Sequence, residues 1–343
     1  MTYYFDVLPL HPGPEHLESL TSYLMRLAKL NGISSIDGIS TLSFPNQDRR
    51  ITRDIADYLP ISFDQLITIG ACNEEALRRT TFFYVAAKFG RSALPQPTSR
   101  FLSGCVSQYL RYCPQCLVQQ QVKCYQLSWR FLAFVICYKH KCRLLETCGH
   151  CSTLIPLFTS PLKLGYCPKC QKSLELCVTT LVTDQAEIEA AMHTYEDIVF
   201  FLTPQSWEGD GSSTIRHVGQ RFMFLRQKNR LTATEIAKQL GVTLTVVEGI
   251  ERGEFQRRGA TLQSYFKYAH YLQLSLKEIF NEVIHAFDHV LAASLPLCPV
   301  CQQNDCVIRG GYNRSGSQRY QCQHCNRSFT ALPKAREGKK FSL

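Results

Sequence analysis

Six pairs of potential metal ligands, each with two residues between the ligands, are the chemically active feature of this sequence. That spacing lets one tight turn aim two side chains at one ion, and two such turns complete a tetrahedral zinc site. Taken in chain order, the pairs predict three four-ligand sites: Cys113, Cys116, Cys137 and His140; Cys148, Cys151, Cys167 and Cys170; Cys298, Cys301, Cys322 and Cys325. Interleaved pairing of the first two sites stays open, although each loop would then cross the other ribbon. A site with four protein ligands has no open position for water, so we expect three structural Zn²⁺ ions per chain.

The sequence lacks the motifs of the common zinc enzymes. A zinc deaminase needs H-x-E ahead of P-C-x-x-C. The H-x-E of this chain, His16-Leu17-Glu18, lies far upstream of the first cysteine pair, and H-E-x-x-H is absent. We therefore expect the metal sites to hold the fold together, and we expect the protein not to be an enzyme.

The cysteines also indicate the compartment. The N-terminus has neither the basic start nor the apolar core of a signal peptide, which predicts a cytoplasmic protein. Thiols stay reduced there, so the 17 cysteines are not expected to form disulfides. The cysteines outside the three sites are expected to be small buried hydrophobes rather than extra ligands; they are Cys72, Cys105, Cys124, Cys142, Cys177 and Cys306.

Charge divides the chain in two. Residues 1–215 contain 19 Lys+Arg and 19 Asp+Glu, whereas residues 216–343 contain 19 Lys+Arg and 9 Asp+Glu. The net charge of +10 thus falls entirely in the C-terminal part. This distribution predicts a nucleic-acid-contacting half joined to a half with another task.

Periodicity and turn residues predict a mainly α multidomain protein with small zinc-ribbon β-hairpins. An amphipathic helix is predicted over 14–32, with Pro14 at its first position and Gly32 at its end. Thr203 to Ser213 has the composition of a linker. The predicted organisation is an N-terminal helical domain (1–102), a twin zinc-ribbon block (103–182), a helix and linker (183–213), a helix-turn-helix domain (214–292), a C-terminal zinc ribbon (296–332) and a basic tail (333–343).

About half of the chain, roughly residues 7–180, resembles the TniQ/TnsD family. The motifs that carry the resemblance are Leu8-Pro9-Leu10-His11-Pro12-Gly13, Glu18-Ser19-Leu20-Thr21-Ser22-Tyr23-Leu24-Met25-Arg26-Leu27-Ala28, Arg111-Tyr112-Cys113-Pro114-Gln115-Cys116, Trp129, Cys137-Tyr138-Lys139-His140 and Cys148-Gly149-His150-Cys151. Additional residues at Gly13–Leu17 depart from the common pattern. The resemblance implies a target-selection adaptor of a Tn7-like transposon. Its implied partners are the AAA+ transposition regulator and either target DNA or a CRISPR effector with its guide RNA, and homodimerisation is consistent with it.

Residues 217–282 resemble an XRE-type helix-turn-helix domain, with Gly241 at the turn and Thr243 as the cap of the recognition helix. A DNA-reading helix normally presents polar side chains to base edges. The side expected to be exposed here presents Leu244, Thr245, Val246, Glu248 and Gly249. We therefore predict that Leu244, Val246 and Glu248 bind a protein partner, while phosphate contacts are expected from Arg252, Arg257 and Arg258.

Residues 298–330 resemble the zinc ribbons of insertion-sequence transposases. Arginines and tyrosines alternate on this ribbon, a composition that suits phosphate and base-edge contact. The predicted nucleic-acid-binding residues are Arg309, Arg314, Arg319 and Arg327. A basic ribbon that docks on protein is the alternative interpretation.

Two other functions stay open at this point. The first is a zinc-containing XRE-type transcription regulator, which the apolar recognition helix disfavours. The second is a metal-dependent nuclease or transposase, although the acids of residues 1–215 form no motif that singles out a catalytic set.

Overall fold

The computed structural model describes residues 6–45, 57–58, 62–90, 101–158, 160, 162–204, 211–253, 260–283, 298–301, 307–312, 318–322 and 324–330. Helices dominate this part of the chain, and the strands form small antiparallel hairpins, as the predicted fold class requires. The chain separates into two compact units, Met1–Asn281 and Glu282–Leu343. None of the described helices is long and apolar enough to cross a membrane.

Among the described residues, the N-terminal part of the first unit contains five short helices: α1 (Leu20–Leu30), α2 (Ile36–Ser43), α3 (Asp64–Gly70), α4 (Glu74–Arg78) and α5 (Phe83–Lys88). The prediction that the first helix starts at residue 14 is wrong. Ser19 is its N-cap, in extended conformation, and its side chain accepts a hydrogen bond from the backbone N–H of Ser22. Serine caps a helix well because its oxygen satisfies a free N–H of the first turn. The residues before it turn instead, and Leu17 has a φ of 56°.

The cysteine-rich block follows, with little regular structure. It contains α6 (Pro114–Gln119), strands β1 (Ile136–Cys137) and β2 (Cys142–Arg143), and 3-10 turns at Leu127–Arg130 and Leu174–Leu176. Isolated antiparallel bridges, such as Tyr112 with Leu145, connect its loops. A block with so few regular backbone pairs needs another source of stability, which the metal sites described below can supply.

The long helix α7 (Gln185–Leu202) packs on β1 and on the Leu127–Arg130 turn. Helices α8 (Gly211–Lys228), α9 (Ala233–Leu240), α10 (Leu244–Arg252) and α11 (Leu262–Tyr271) then form the helix-turn-helix region, and residues 276–283 are helical. The predicted linker is therefore too long at its C-terminal end, because Gly211 already belongs to α8. The rest of that linker, residues 205–210, lies outside the described residues.

Two helices of this region end at a glycine with positive φ: α9 at Gly241 (67°), where a turn was predicted, and α10 at Gly253 (66°). A third glycine brings two helices into backbone contact. A Cβ atom added at Gly219 in α8 would lie 2.5 Å from the carbonyl oxygen of Ile250 in α10. Only glycine allows this approach.

An aromatic cluster fastens the helix-turn-helix region to the N-terminal helices. The ring of Phe89 lies 5.0 Å from that of Tyr265, 5.2 Å from that of Phe280 and 5.7 Å from that of Phe201, measured between centroids. Beside it, the fully buried Lys88 donates from Nζ to the carbonyl oxygen of Thr203 at 2.5 Å. The first unit therefore shares one core between α5, α7 and α11.

The second unit contains a three-stranded antiparallel sheet in the order β3 (Val307–Tyr312), β4 (Gln318–Cys322) and β5 (Ser328–Thr330). Its core consists of Cys298, Val307 and Cys322, with the stacked rings of Tyr320 and Phe329 against it. A core this small cannot stabilise a domain alone, so the second unit also depends on a metal site.

Candidate metal centres and nucleic-acid interface

The first predicted ligand set converges in the structure. The ligand atoms of Cys113, Cys116, Cys137 and His140 all lie within 4.8 Å of one another. His140 Nδ1 lies 3.5, 3.2 and 3.4 Å from the three sulfurs in that order. Cys113 caps α6, and β1 ends at Cys137, so a helix start and a hairpin each contribute one pair of ligands.

The second set lies in the loops that follow. Cys148, Cys151, Cys167 and Cys170 place their sulfurs within 4.8 Å of one another. The distance from Cys148 Sγ to Cys170 Sγ is 3.7 Å, and that from Cys151 Sγ to Cys167 Sγ is 3.6 Å. The ligands pair in chain order, so the interleaved alternative does not apply to either of the first two sites.

The third set belongs to the second unit. Its four sulfurs also lie within 4.8 Å of one another, with 3.4 Å between Cys298 and Cys325 and 3.5 Å between Cys301 and Cys322. The hydrogen bond from the backbone N–H of Cys322 to the carbonyl oxygen of Arg327 closes the turn that carries the last two ligands.

These dimensions fit zinc. Tetrahedral Zn²⁺ with Zn–S bonds of about 2.3 Å holds its sulfurs about 3.8 Å apart, close to the separations in all three sets. At Cys151 hydrogen bonds favour the thiolate that a metal needs, since contacts with the hydroxyl and backbone of Thr153 lower its pKa to about 6, whereas burial raises the pKa of Cys148 in the same set. The backbone N–H of Cys301 likewise lowers the pKa of Cys298.

Two of the cysteines predicted to be plain buried hydrophobes contact the metal sites. Cys142 Sγ lies 3.6 Å from Cys113 Sγ, and Cys177 Sγ accepts a hydrogen bond from the backbone N–H of Gly149 at 3.3 Å. Both are buried, as are Cys105 and Cys124, while Cys72 is half-buried. Cys306 lies outside the described residues. The spacing of single cysteines carries no signal for such outer contacts.

The motif that begins at Glu18 joins α1 to the metal block. Buried Glu18 accepts hydrogen bonds from Arg26 at 2.6 and 3.1 Å and from the Ser22 hydroxyl at 3.0 Å. The same Ser22 hydroxyl accepts the backbone N–H of Tyr125 at 2.8 Å, and Leu127 donates its N–H to the carbonyl oxygen of Leu17 at 2.7 Å. The motif is therefore a structural clasp between the first helix and the loop of the first metal site.

A second buried ion pair extends this clasp. Asp57 accepts hydrogen bonds from the backbone N–H and the hydroxyl of Thr21 at 2.8 and 2.9 Å, and it pairs with the guanidinium of Arg130. Arg130 also donates to the carbonyl oxygen of Ser107 at 2.8 Å. Because these buried charges have several partners each, they specify how the helices sit on the metal block.

The predicted recognition helix, α10, presents Leu244 and Thr245 to solvent and leaves Val246 and Glu248 half-exposed. Gly249 is buried, so its assignment to the exposed side is wrong. Glu248 forms an ion pair with Arg252 across one helical turn, at 3.4 Å. Arg257 and Arg258 lie outside the described residues.

Glu251, next to this ion pair, faces inward. Its carboxylate accepts from Arg226 Nε at 2.6 Å and from Arg226 Nη2 at 2.9 Å, while the Tyr268 hydroxyl donates to it at 2.7 Å. This network joins α8, α10 and α11. Sequence reasoning missed it, because an acid at a helix end has the pattern of a surface residue.

Two of the predicted ribbon residues, Arg319 and Arg327, are exposed. Arg309 lies in β3 opposite Tyr320, and Arg314 lies outside the described residues. With the stacked Tyr320 and Phe329 on the same sheet, the exposed arginines give the second unit a basic and aromatic composition.

Comparison with protein families shows that the model of the TniQ family matches residues 9–144. The matched stretch contains the clasp and the first metal site, and it ends before the second metal site and the helix-turn-helix region. No curated protein matches this chain.

Proposed function

Because the chain carries a TniQ-family domain over residues 9–144, we propose that it is an adaptor in DNA transposition that connects a chosen target to the transposition machinery. The TniQ domain supports a role in target selection. In our proposal the target side is DNA or a CRISPR RNA-guided effector, and the other side is the AAA+ transposition regulator. The single observation that carries the proposal is the TniQ match.

The geometry of the metal sites supports an adaptor rather than an enzyme. Each of the three clusters offers four protein ligands, which is the composition of a structural zinc site. A catalytic zinc site would keep one position for water. We propose that the three ions act only to hold binding surfaces in place, within a chain that functions as a monomer or a homodimer.

We assign target-DNA contact to the second unit. Residues 298–343 contain eight Lys+Arg and two acids; Arg319 is exposed on β4, and Arg327 is exposed in the turn before β5. Positive side chains beside aromatic rings suit phosphate contact and base stacking. For α10 we propose protein docking through Leu244, Val246 and Glu248, since an apolar and partly ion-paired surface has little to offer to base edges.

The test is a reconstitution with the AAA+ regulator of the same transposon. We expect the full-length protein to recruit the regulator to target DNA, or to a guide-RNA effector bound to its target, and to raise transposition at that site. Variant Arg319→Gln/Arg327→Gln should weaken recruitment to naked DNA. Recruitment that is identical with and without the protein contradicts the proposal, and a footprint confined to the promoter of its own gene favours a transcription regulator instead.

A further inference from the structure

The zero net charge of residues 1–215 conceals two strongly charged segments that cancel. Residues 103–182, the twin zinc block, contain nine Lys+Arg and two acids. Residues 183–215 contain seven acids and no Lys or Arg. The block that surrounds the first two metal sites therefore carries a net charge of +7.

The structure divides the cations of the block into those that are buried or ion-paired and those that are exposed without an ion pair. Arg111 and Arg130 are buried, and each donates to backbone carbonyl groups. Lys123 pairs with Glu175 at 2.9 Å, and Arg143 pairs with Glu187 at 3.0 Å. The others are exposed and form no ion pair within the described part of the chain; they are Lys139, Lys141, Lys163, Lys169 and Lys172.

Two of these exposed lysines lie on one metal-fixed turn. Lys169 stands between the ligands Cys167 and Cys170, and Lys172 follows them. The turn is closed by hydrogen bonds from the N–H of Gln171 to the carbonyl oxygen of Cys167, at 3.0 Å, and from the N–H of Cys167 to the carbonyl oxygen of Lys172, at 2.9 Å. Zinc at this site would hold both charges at a fixed spacing.

A third lysine is held beside the same hairpin. Lys163 Nζ lies 3.5 Å from the centre of the Tyr166 ring, a cation–π contact that limits the motion of its side chain. Tyr166 forms a β-bridge with Ser173, and the carbonyl oxygen of Ser173 contacts His150 Nε2 at 3.1 Å. The turn, Lys163 and His150 thus belong to one small ribbon.

The two acids of the block do not form ion pairs with these three lysines. Glu175 is paired with Lys123. Glu146 contacts the hydroxyl of Ser107, which lies near the start of the block and not beside these lysines in sequence. The result is a ribbon edge that carries positive charge without a neutralising partner among the described residues.

We propose that this edge, formed by Lys163, Lys169 and Lys172, is a second nucleic-acid contact that binds the phosphodiester backbone without reading sequence. Lysine is a point charge that suits phosphate, and contacts to phosphate position a protein without carrying sequence information. The inference goes beyond the proposed function, which assigns DNA contact to the C-terminal ribbon. It also concerns a stretch beyond the TniQ match, which ends at residue 144.

DNA and RNA both present a phosphodiester backbone. The test therefore uses two probes, a short duplex DNA and a hairpin RNA, to distinguish which nucleic acid the edge binds. The full-length triple variant Lys163→Gln/Lys169→Gln/Lys172→Gln is compared with the unaltered protein by fluorescence anisotropy across a salt titration. Each phosphate contact contributes about 0.9 to the slope of log K against log salt for duplex DNA and about 0.7 for single strands. We expect the slope for at least one nucleic acid to fall by about 2 units.

A matched control removes the same charge elsewhere. Lys29→Gln/Lys139→Gln/Lys141→Gln alters three exposed lysines outside the edge, none of which forms an ion pair among the described residues, and should leave the slope within about 0.5 units of the original. Zinc content equal to that of the unaltered protein shows that the ribbon of the triple variant is still folded. An equal effect of both triple variants would attribute the loss to net charge and overturn the proposal.

The outcome can be separated from that of the proposed function. If Arg319→Gln/Arg327→Gln lowers the slope for DNA and the lysine variant changes neither arm, the second contact is refuted while the C-terminal assignment stands. If the lysine variant changes only the sedimentation coefficient of the protein alone, the edge binds a second copy of the chain, and the nucleic-acid proposal is wrong.

Discussion

Each predicted zinc ligand would contribute to folding through the ion that it shares with three others. The residues around the first site form few regular backbone hydrogen bonds, and β1 and β2 are two residues long each. The binding free energy of a structural Zn²⁺, on the order of 10 kcal/mol, is comparable to the net stability of a whole domain. Loss of one ligand should therefore affect far more than its own loop.

We predict that Cys113→Ser reduces the zinc content from three ions per chain to two and unfolds the block around the first site. Elemental analysis and zinc-edge X-ray absorption measure both the content and the Zn–S distance of about 2.3 Å. Cys105→Ser is the matched control, because Cys105 is buried outside the three ligand sets. This variant should retain all three ions. A content of one ion per chain in the unaltered protein would refute the assignment of the sites.

A buried acid gives the first unit a specific pH dependence. Burial raises the pKa of Asp197 in α7 to about 6, against the opposing effects of a Ser275 hydrogen bond and the charge of Lys277, while the nearby charge of Glu278 raises it further. The folded state then retains a proton that the unfolded chain releases near pH 4. Stability therefore falls as the pH rises from about 4 to about 6, and the loss is complete above that range.

We predict that Asp197→Asn raises the free energy of unfolding at pH 7 by up to about 2 kcal/mol and removes this part of the pH slope. Thermal unfolding between pH 4 and pH 8 measures both effects. Glu189→Gln, an exposed change on the same helix, should leave the slope as it is. A variant that is less stable than the unaltered protein at pH 7 would show that the carboxylate is stabilising there.

At the scale of elements, the contact of α8 with α10 is the most sensitive point of the helix-turn-helix region. We predict that Gly219→Ala destabilises the first unit by about 1–3 kcal/mol, because the added methyl group collides with the backbone of Ile250 and Glu251. Chemical denaturation measures the change. Gln220→Ala, the exposed neighbour, is the control and should alter stability by less than about 0.5 kcal/mol.

Local patterns predicted the elements of this region well, and long-range contacts account for the rest. Gly241 ends α9 because a left-handed residue there favours glycine, and this requirement is visible in the sequence. The start of α1 was misplaced because the backbone of Leu17 and Ser19 bonds to residues 125–127, more than a hundred positions away. The inward orientation of Glu251 likewise depends on Arg226 and Tyr268, which lie on other helices.

At the scale of the whole molecule, the chain divides into two compact units. We predict that deletion of residues 296–343 leaves a folded first unit with two zinc ions, weaker binding to duplex DNA and a smaller salt dependence. Elemental analysis, circular dichroism and a salt titration of DNA affinity test the three parts of this prediction. Equal DNA affinity of the full and shortened chains at every salt concentration would show that the ribbon docks on protein.

The ligand sets could be predicted from spacing alone, because two residues between ligands impose a turn whatever surrounds it. The charge of the binding surfaces could not be predicted in the same way. The net charge of residues 1–215 is zero, and this value conceals the lysines around Cys167 and Cys170. Only the fold shows which cations are neutralised, as Lys123 is by Glu175, and which stay exposed.

The clasp between α1 and residues 125–127 makes the placement of the N-terminal helix depend on the first metal site. Tyr125 and Leu127, which hold the start of α1 by hydrogen bonds, lie in the loop between Cys116 and Cys137. A chain without the first ion would therefore lose the contacts that position its N-terminal helix. Newly made chains in zinc-starved cells would then expose apolar surface and be degraded. Under the proposed function, transposition would then decline under zinc limitation without any dedicated regulator.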